Sequence, residues 1–174
     1  VECSSNTLSV NINSQEYVFV QPANKWLNYQ KQKIEDMAAI RNVGPFYQDK
    51  TKNFQIASRS FGSGVAVDLS KENKISEVVL DLNSRYSTLE GYYGVEDQTM
   101  NSLGSYYLII LADDREVYTS RLINPSDYPR YLAPGEIDLT NIKRLAFRLE
   151  WNDAEIGDSD LLVAVLANVN FYLK

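Results

Sequence analysis

Hydrophobic and polar positions alternate with a period of two over short runs, and polar turns break the runs roughly every 8–12 residues. Leu8, Val10 and Ile12 alternate with Ser9 and Asn11, and Tyr17-Val18-Phe19-Val20 follows the polar Asn13-Ser14-Gln15. That pattern predicts a hairpin, closed by Pro22, with a frayed polar stretch from Val1 to about Asn6. Between Trp26 and Ile40 the period changes. Trp26, Leu27, Ile34, Met37, Ala38 and Ile40 fit a short amphipathic helix loosely, and Gly44-Pro45 would end it.

The rest of the chain reads as strands. Phe54-Gln55-Ile56 is short, and Gly62-Ser63-Gly64 marks a turn or a close approach before Val65-Ala66-Val67. Glu77 to Leu82 is a strand bounded by polar residues, and Tyr86 to Val95 continues the pattern. Tyr106 to Leu111 is almost wholly apolar, as expected of a central strand covered on both faces. Glu116-Val117-Tyr118 follows the turn Asp113-Asp114-Arg115, and Glu136 to Leu139 alternates, as do Leu145, Phe147 and Leu149. Leu161 to Leu173 is one long apolar stretch broken by Asn168 and Asn170. Many short strands without interleaved long helices predict an all-β jelly-roll sandwich with one short helix near its start.

Composition narrows the function classes. The chain has 174 residues, one domain's length, and its size needs no disulfide or metal staple. Its net charge is -6 with no basic stripe, which argues against nucleic acid and anionic membranes. No apolar stretch approaches the ~18 residues of a membrane helix. The single cysteine, Cys3, cannot form an internal disulfide, and without a preceding apolar region it reads as a plain thiol.

There is no histidine, so Ser-His-Asp and Cys-His catalysis and histidine metal sites are excluded together. The pairs Glu96-Asp97 and Asp113-Asp114 sit on turns, where neighbouring carboxylates are solvated rather than opposed across a substrate. Asp153, Glu155, Asp158 and Asp160 form an acidic loop whose oxygens would suit calcium. The loop lacks the spacing of a dedicated calcium site, so no metal or other cofactor is expected. With 12 Tyr against 6 Phe and 2 Trp, tyrosine dominates the aromatics; it packs on strands and also lines polar binding faces.

Several stretches in order resemble the NPCBM family of carbohydrate-binding modules, often fused to bacterial glycoside hydrolases. They are Glu35-Asp36-Met37 with Val43-Gly44-Pro45-Phe46 and Asp49-Lys50, the glycine turn Phe61 to Gly64, and Ser76 to Leu82. Tyr86-Ser87-Thr88-Leu89 with Gly94-Val95-Glu96-Asp97, then Tyr106 to Ser120, Ile137 to Leu139 and Leu145 to Leu149, complete the series. The resemblance covers about residues 26–174 and leaves residues 1–25 as an N-terminal extension with a hairpin. The chain resembles a divergent member: it lacks the family's His after the glycine turn and carries a polar insertion around Leu69 to Lys74. It also reads Val163 to Asn168 where the family closes with an Asp and a Trp.

The resemblance implies a galactose-binding-like jelly roll and a non-catalytic role. The expected function is carbohydrate binding or surface attachment, in an extracytoplasmic bacterial protein whose export signal is absent from these residues. Sugar sites combine an aromatic face with a few carboxylates, amides and arginines. The residues expected to line one are Tyr92, Tyr93, Glu96, Asp97, Asp113, Arg115, Trp151 and Asn152. The partner would be a glycan or cell-surface polysaccharide. The alternative is a protein-interaction or assembly module on the same fold that has lost sugar binding, since the fold hosts both uses.

Overall fold

The alternation along the chain becomes antiparallel pairing throughout. The computed structural model describes residues 2–4, 7–12, 15–20, 30–44, 46–48, 53–152 and 161–174. The chain divides into two compact units, Val1–Gln30 and Lys31–Lys174. The first holds a three-stranded sheet of β1 (Glu2–Ser4), β2 (Thr7–Ile12) and β3 (Gln15–Val20), in that order. The expected hairpin is β2–β3, with Val10 opposite Tyr17. Glu2–Ser4, expected to fray, instead pairs with β2 and adds a strand.

The second unit runs β4 (Lys31–Lys33), β5 (Ala39–Val43), β6 (Phe46–Gln48), β7 (Phe54–Ile56), β8 (Arg59–Phe61), β9 (Gly64–Leu69), β10 (Ile75–Asp81), β11 (Tyr86–Val95), β12 (Ser105–Ala112), β13 (Arg115–Thr119), β14 (Arg130–Leu132), β15 (Arg144–Asn152) and β16 (Leu162–Leu173). Five strands form one sheet in the order β13-β12-β15-β10-β5, and six form another in the order β14-β11-β16-β9-β6, with β4 also on β16. The chain passes repeatedly from one sheet to the other, so inner-face residues of both meet in one core. Val78, Leu80, Leu108, Phe147 and Leu149 come from the first sheet, and Leu89, Val95, Ala164 and Leu166 from the second. The architecture is therefore an all-β sandwich, as the pattern predicted.

The helix expected from Trp26 to Ile40 is corrected over its described part. Residues 31–33 are strand, Ile34–Asp36 is a single 3₁₀ turn, and Ala39 begins β5. Ile34 and Met37 are buried, but Ile40 is 54% exposed, so the apolar stripe is one turn long. Pairing of β4 with β16 and of β5 with β10 satisfies more backbone groups than a lone short helix could. Trp26 and Leu27 lie outside the described residues, as do Pro22 and Pro45.

Two further readings change. The apolar run of β12 is not covered on both faces: Tyr107, Ile109 and Leu111 are only half-buried on its outer side. Glu136–Leu139 joins no ladder beyond the bridge Thr88↔Asp138, although Ile137 and Leu139 are buried. The glycine turn is a close approach. Gly64 has φ +144°, and a Cβ there would lie 2.3 Å from the Leu166 carbonyl oxygen.

A second apolar cluster covers part of the six-stranded sheet from outside. The β7–β8 hairpin puts Phe54, Ile56 and Phe61 over Ala66, Val165 and Ala167. This cover ends at Asn168, whose φ of 49° marks a slip in the β11–β16 register between Glu90 and Tyr92.

Candidate functional site

Beyond that slip, none of the described residues forms an apolar cover on the outer face of the six-stranded sheet. Glu90 and Tyr92 on β11 point outward, because successive strand residues alternate and Leu89 and Tyr93 fill the core. Tyr131 on β14 lies directly opposite Tyr92. The two rings stack with centroids 4.7 Å apart and planes 34° from parallel, and Phe61 continues the cluster 5.1 Å from Tyr92. The Arg59 guanidinium lies 4.3 Å from the Tyr92 ring centre. Glu90, Gly91, Tyr92, Tyr131, Asn168 and Asn170 line a shallow depression of about 250 Å³.

Glu90 is its electrostatic centre. Its Oε1 accepts from Lys31 Nζ at 3.1 Å and from the Tyr172 hydroxyl, and its Oε2 accepts from the Tyr131 hydroxyl at 3.1 Å. Burial opposes the charge, but the hydrogen bonds from Tyr172, Lys31 and Tyr131 outweigh it, and the carboxyl titrates below its ordinary range. Burial and the bond to Glu90 push the Tyr131 phenol up to about 12. A carboxylate offers about four lone-pair sites, so Oε2 can still accept one more donor. Asn168 Oδ1 accepts from Ser63 Oγ at 3.0 Å, and Asn170 Nδ2 donates to the Asn168 carbonyl at 3.0 Å. Among the described residues this leaves the Asn168 amide hydrogens and the Asn170 Oδ1 uncommitted. The depression thus offers donors, acceptors and the flank of Tyr131, which is 47% exposed.

Of the residues expected from sequence, Tyr92 is in this depression, and the structure disperses the others. Tyr93 is 2% exposed; its hydroxyl meets that of Tyr118 at 2.6 Å, and burial raises its phenol pKa. Glu96 is 3% exposed. Asp97 accepts from the Ser58 amide at 2.8 Å and so pins the β7–β8 turn just before Arg59. Asp113 accepts from the amides of Lys143 (3.1 Å) and Arg144 (2.9 Å), tying the β12–β13 turn to the start of β15, and Arg115 is exposed at the start of β13.

Trp151 and Asn152 lie at the far end of β15 from that turn. The Trp151 ring covers Gly104, where a Cβ would sit 2.0 Å from it, and Asn152 Nδ2 donates to Ser105 Oγ at 3.2 Å. Asp153, Glu155, Asp158 and Asp160 lie outside the described residues.

Sequence reasoning missed Arg59, Glu90, Tyr131 and the role of Asn168 and Asn170. Only the asparagines left a signal, as breaks in the apolar run of β16. Arg59 and Tyr131 reach Tyr92 from segments 33 and 39 positions away in sequence, through packing no local pattern shows.

The NPCBM/NEW2 domain family matches residues 13–171. Among solved structures, the M60 catalytic domain with the CBM51-1 and CBM51-2 domains from Clostridium perfringens ZmpB is 21% identical with a TM-score of 0.63. The alignment covers 95% of this chain but 17% of that one, so this chain spans about a sixth of it. CBM51 from Clostridium perfringens GH95, solved with methyl-galactose, is 13% identical with a TM-score of 0.60, covering 82% of this chain and 99% of that one. CBM51-2 from Clostridium perfringens ZmpB, solved with GlcNAc and INT domains, is 14% identical with a TM-score of 0.61, covering 83% of this chain and 32% of that one. At these identities the likeness is one of fold. No curated protein sequence matches the chain.

Proposed function

The chain belongs to the NPCBM/NEW2 domain family, and from that premise we propose that it is a non-catalytic carbohydrate-binding module of a bacterial secreted or cell-surface protein. The observation that carries this reading is the depression around Glu90, Tyr131, Asn168 and Asn170. A sugar ring presents an apolar C–H face and hydroxyls that both donate and accept. The flank of Tyr131 suits the first, and Glu90 Oε2, Asn168 and Asn170 suit the second. The volume suits one sugar unit. Structures similar in fold were solved in complex with methyl-galactose and with GlcNAc, which supports a pyranose ligand of this size. Relatives that are modules of much longer bacterial chains support the same role as an attachment domain.

Catalysis does not fit this site. Among the described residues lining the depression, Glu90 is the one carboxylate, and its pKa is lowered. A glycosidase acid needs a raised pKa and a second carboxylate opposite it. A glycan array on the full chain tests the reading. Binding to a defined terminal sugar, weakened by Tyr131→Ala and by Glu90→Gln, is the expected result. No binder, or binders indifferent to both changes, would favour the assembly alternative, which the exposed edge strand β5 also suits.

A further inference from the structure

The five-stranded sheet has an outer face of different chemistry. Register places Val79 beside Ala146 and Ala146 beside Leu111, all half-buried, so the face has a low apolar floor with its smallest side chain in the middle. Long charged side chains surround it. Arg144 and Arg148 stand two positions either side of Ala146 on β15, and Arg41 on β5 pairs with Val79. These residues enclose a depression of about 330 Å³.

Its anchor is Glu77, a carboxylate only 9% exposed, which accepts from Arg148 Nε at 2.7 Å. That bond fixes the Arg148 guanidinium, whose Nη1 also lies 3.8 Å from Glu150 Oε1 at the edge of the face. Arg41 approaches Glu77 only to 3.9 Å, too long for a hydrogen bond, and its side chain is 67% exposed. Arg144 pairs at 3.2 Å with Asp114, which is 83% exposed. Exposed pairs of this kind are weak and exchange readily for a ligand anion. Three guanidiniums, Arg41, Arg144 and Arg148, thus gather on one face of a chain whose net charge is -6, with Glu77 and Asp114 lining the depression beside them and Glu150 flanking Arg148. A second depression of about 270 Å³, lined by Val43 and Ile75, adjoins the first across the same Arg41, Glu77 and Arg148.

We propose that this face is a second binding site, for acidic saccharides whose sugar units carry a carboxylate, such as uronates. The apolar floor takes a ring's C–H face, the arginines take its carboxylate, Glu77 takes a hydroxyl, and the two depressions take successive units. The site is separate from that of Glu90 and Tyr131, and it rests on the carbohydrate-binding reading only for the class of ligand.

The test is an amide NMR titration of the full chain with sodium glucuronate, a short oligogalacturonate, glucose and sodium sulfate at matched ionic strength. Glucuronate should give saturable shifts at Val79, Ala146 and Arg148 that glucose and sulfate do not give, and the oligogalacturonate should bind more tightly. Arg41→Gln, on the exposed edge strand, should weaken glucuronate roughly tenfold. Ala146→Glu, which puts a carboxylate among the arginines, should abolish it; if that variant melts early, Arg41→Gln alone decides. Equal shifts from sulfate, shifts confined to Gly91, Asn168 and Asn170, or unchanged affinity in Arg41→Gln would overturn the proposal. A neutral glycan that binds at Tyr131 while glucuronate binds nowhere would sink this site and leave the first intact.

Discussion

Replacing Tyr93 and Tyr131 separately with alanine separates the scaffold from the proposed sugar site. Tyr93 is 2% exposed, packs edge-on to Tyr118 at 6.4 Å between ring centres, and shares a 2.6 Å hydroxyl contact with it. Removing a buried aromatic of this size costs about 3–5 kcal/mol, and the stranded Tyr118 hydroxyl keeps the cost in that range. For a domain of this length each kcal/mol lowers the melting point by roughly 2–4 °C, so Tyr93→Ala should fall by about 6–20 °C.

Tyr131 is 47% exposed and would lose one ring contact and one hydrogen bond, about 1 kcal/mol and a few degrees. Binding should show the reverse order. A sugar stacked on Tyr131 would lose about 1–2 kcal/mol, or 5- to 30-fold in affinity. Tyr93→Ala, assayed well below its own melting point, should keep near-native affinity. Calorimetric melting and isothermal titration with a glycan from the array measure both quantities. The reasoning fails if Tyr131→Ala melts as low as Tyr93→Ala, or if affinity follows Tyr93 and ignores Tyr131.

Two other outcomes follow from the same geometry. Asp97→Ala removes the acceptor for the Ser58 amide in a turn where Ala57 and Ser58 both have positive φ (49° and 65°). It should cost about 1 kcal/mol and lower sugar affinity through displacement of Arg59, while Asp97→Asn, which keeps an accepting oxygen, should restore most of both; equal loss in the two variants would contradict a positioning role. Glu90 titrates below its ordinary 4.5 in the folded chain, so its charge contributes stability that is complete above about pH 4.5 and is lost as pH falls through the lower folded value. The melting-point gap between the native chain and Glu90→Gln should therefore stay flat from about pH 8 to 5 and shrink in more acid, and a gap that widened on acidification would refute the account.

What could be read in the sequence, and what could not, follows from the range of the interactions involved. The bounds of β11 were legible because Tyr86 to Val95 alternates between a polar turn and an acidic one, and period-two patterning is local. The Tyr92-Tyr93 pair announced that one ring faces in and one out. Which ring does so is set by pairing with β14 and β16, and those strands lie tens of residues away. Turn carboxylates misled for a related reason. Asp97 and Asp113 have the composition of ligand-binding acids, but each spends its oxygens on backbone amides that only the fold brings near: Ser58 for one, Lys143 and Arg144 for the other.

The asparagines of β16 were the available clue. Along that strand Val163, Val165 and Ala167 face outward and would be wet, yet they are apolar; the β7–β8 hairpin covers them or packs beside them. Two amides then follow at Asn168 and Asn170. Under a continued cover each would leave polar groups unsatisfied, a cost of about 1–3 kcal/mol apiece, so the cover must stop where the amides begin. It does stop there, at the left-handed Asn168, and Glu90, Tyr131 and the depression occupy the first uncovered turn of the face. The candidate site sits at the boundary between two cover states of one strand, and a change from aliphatic to amide side chains within a single apolar run is the sequence mark of such a boundary.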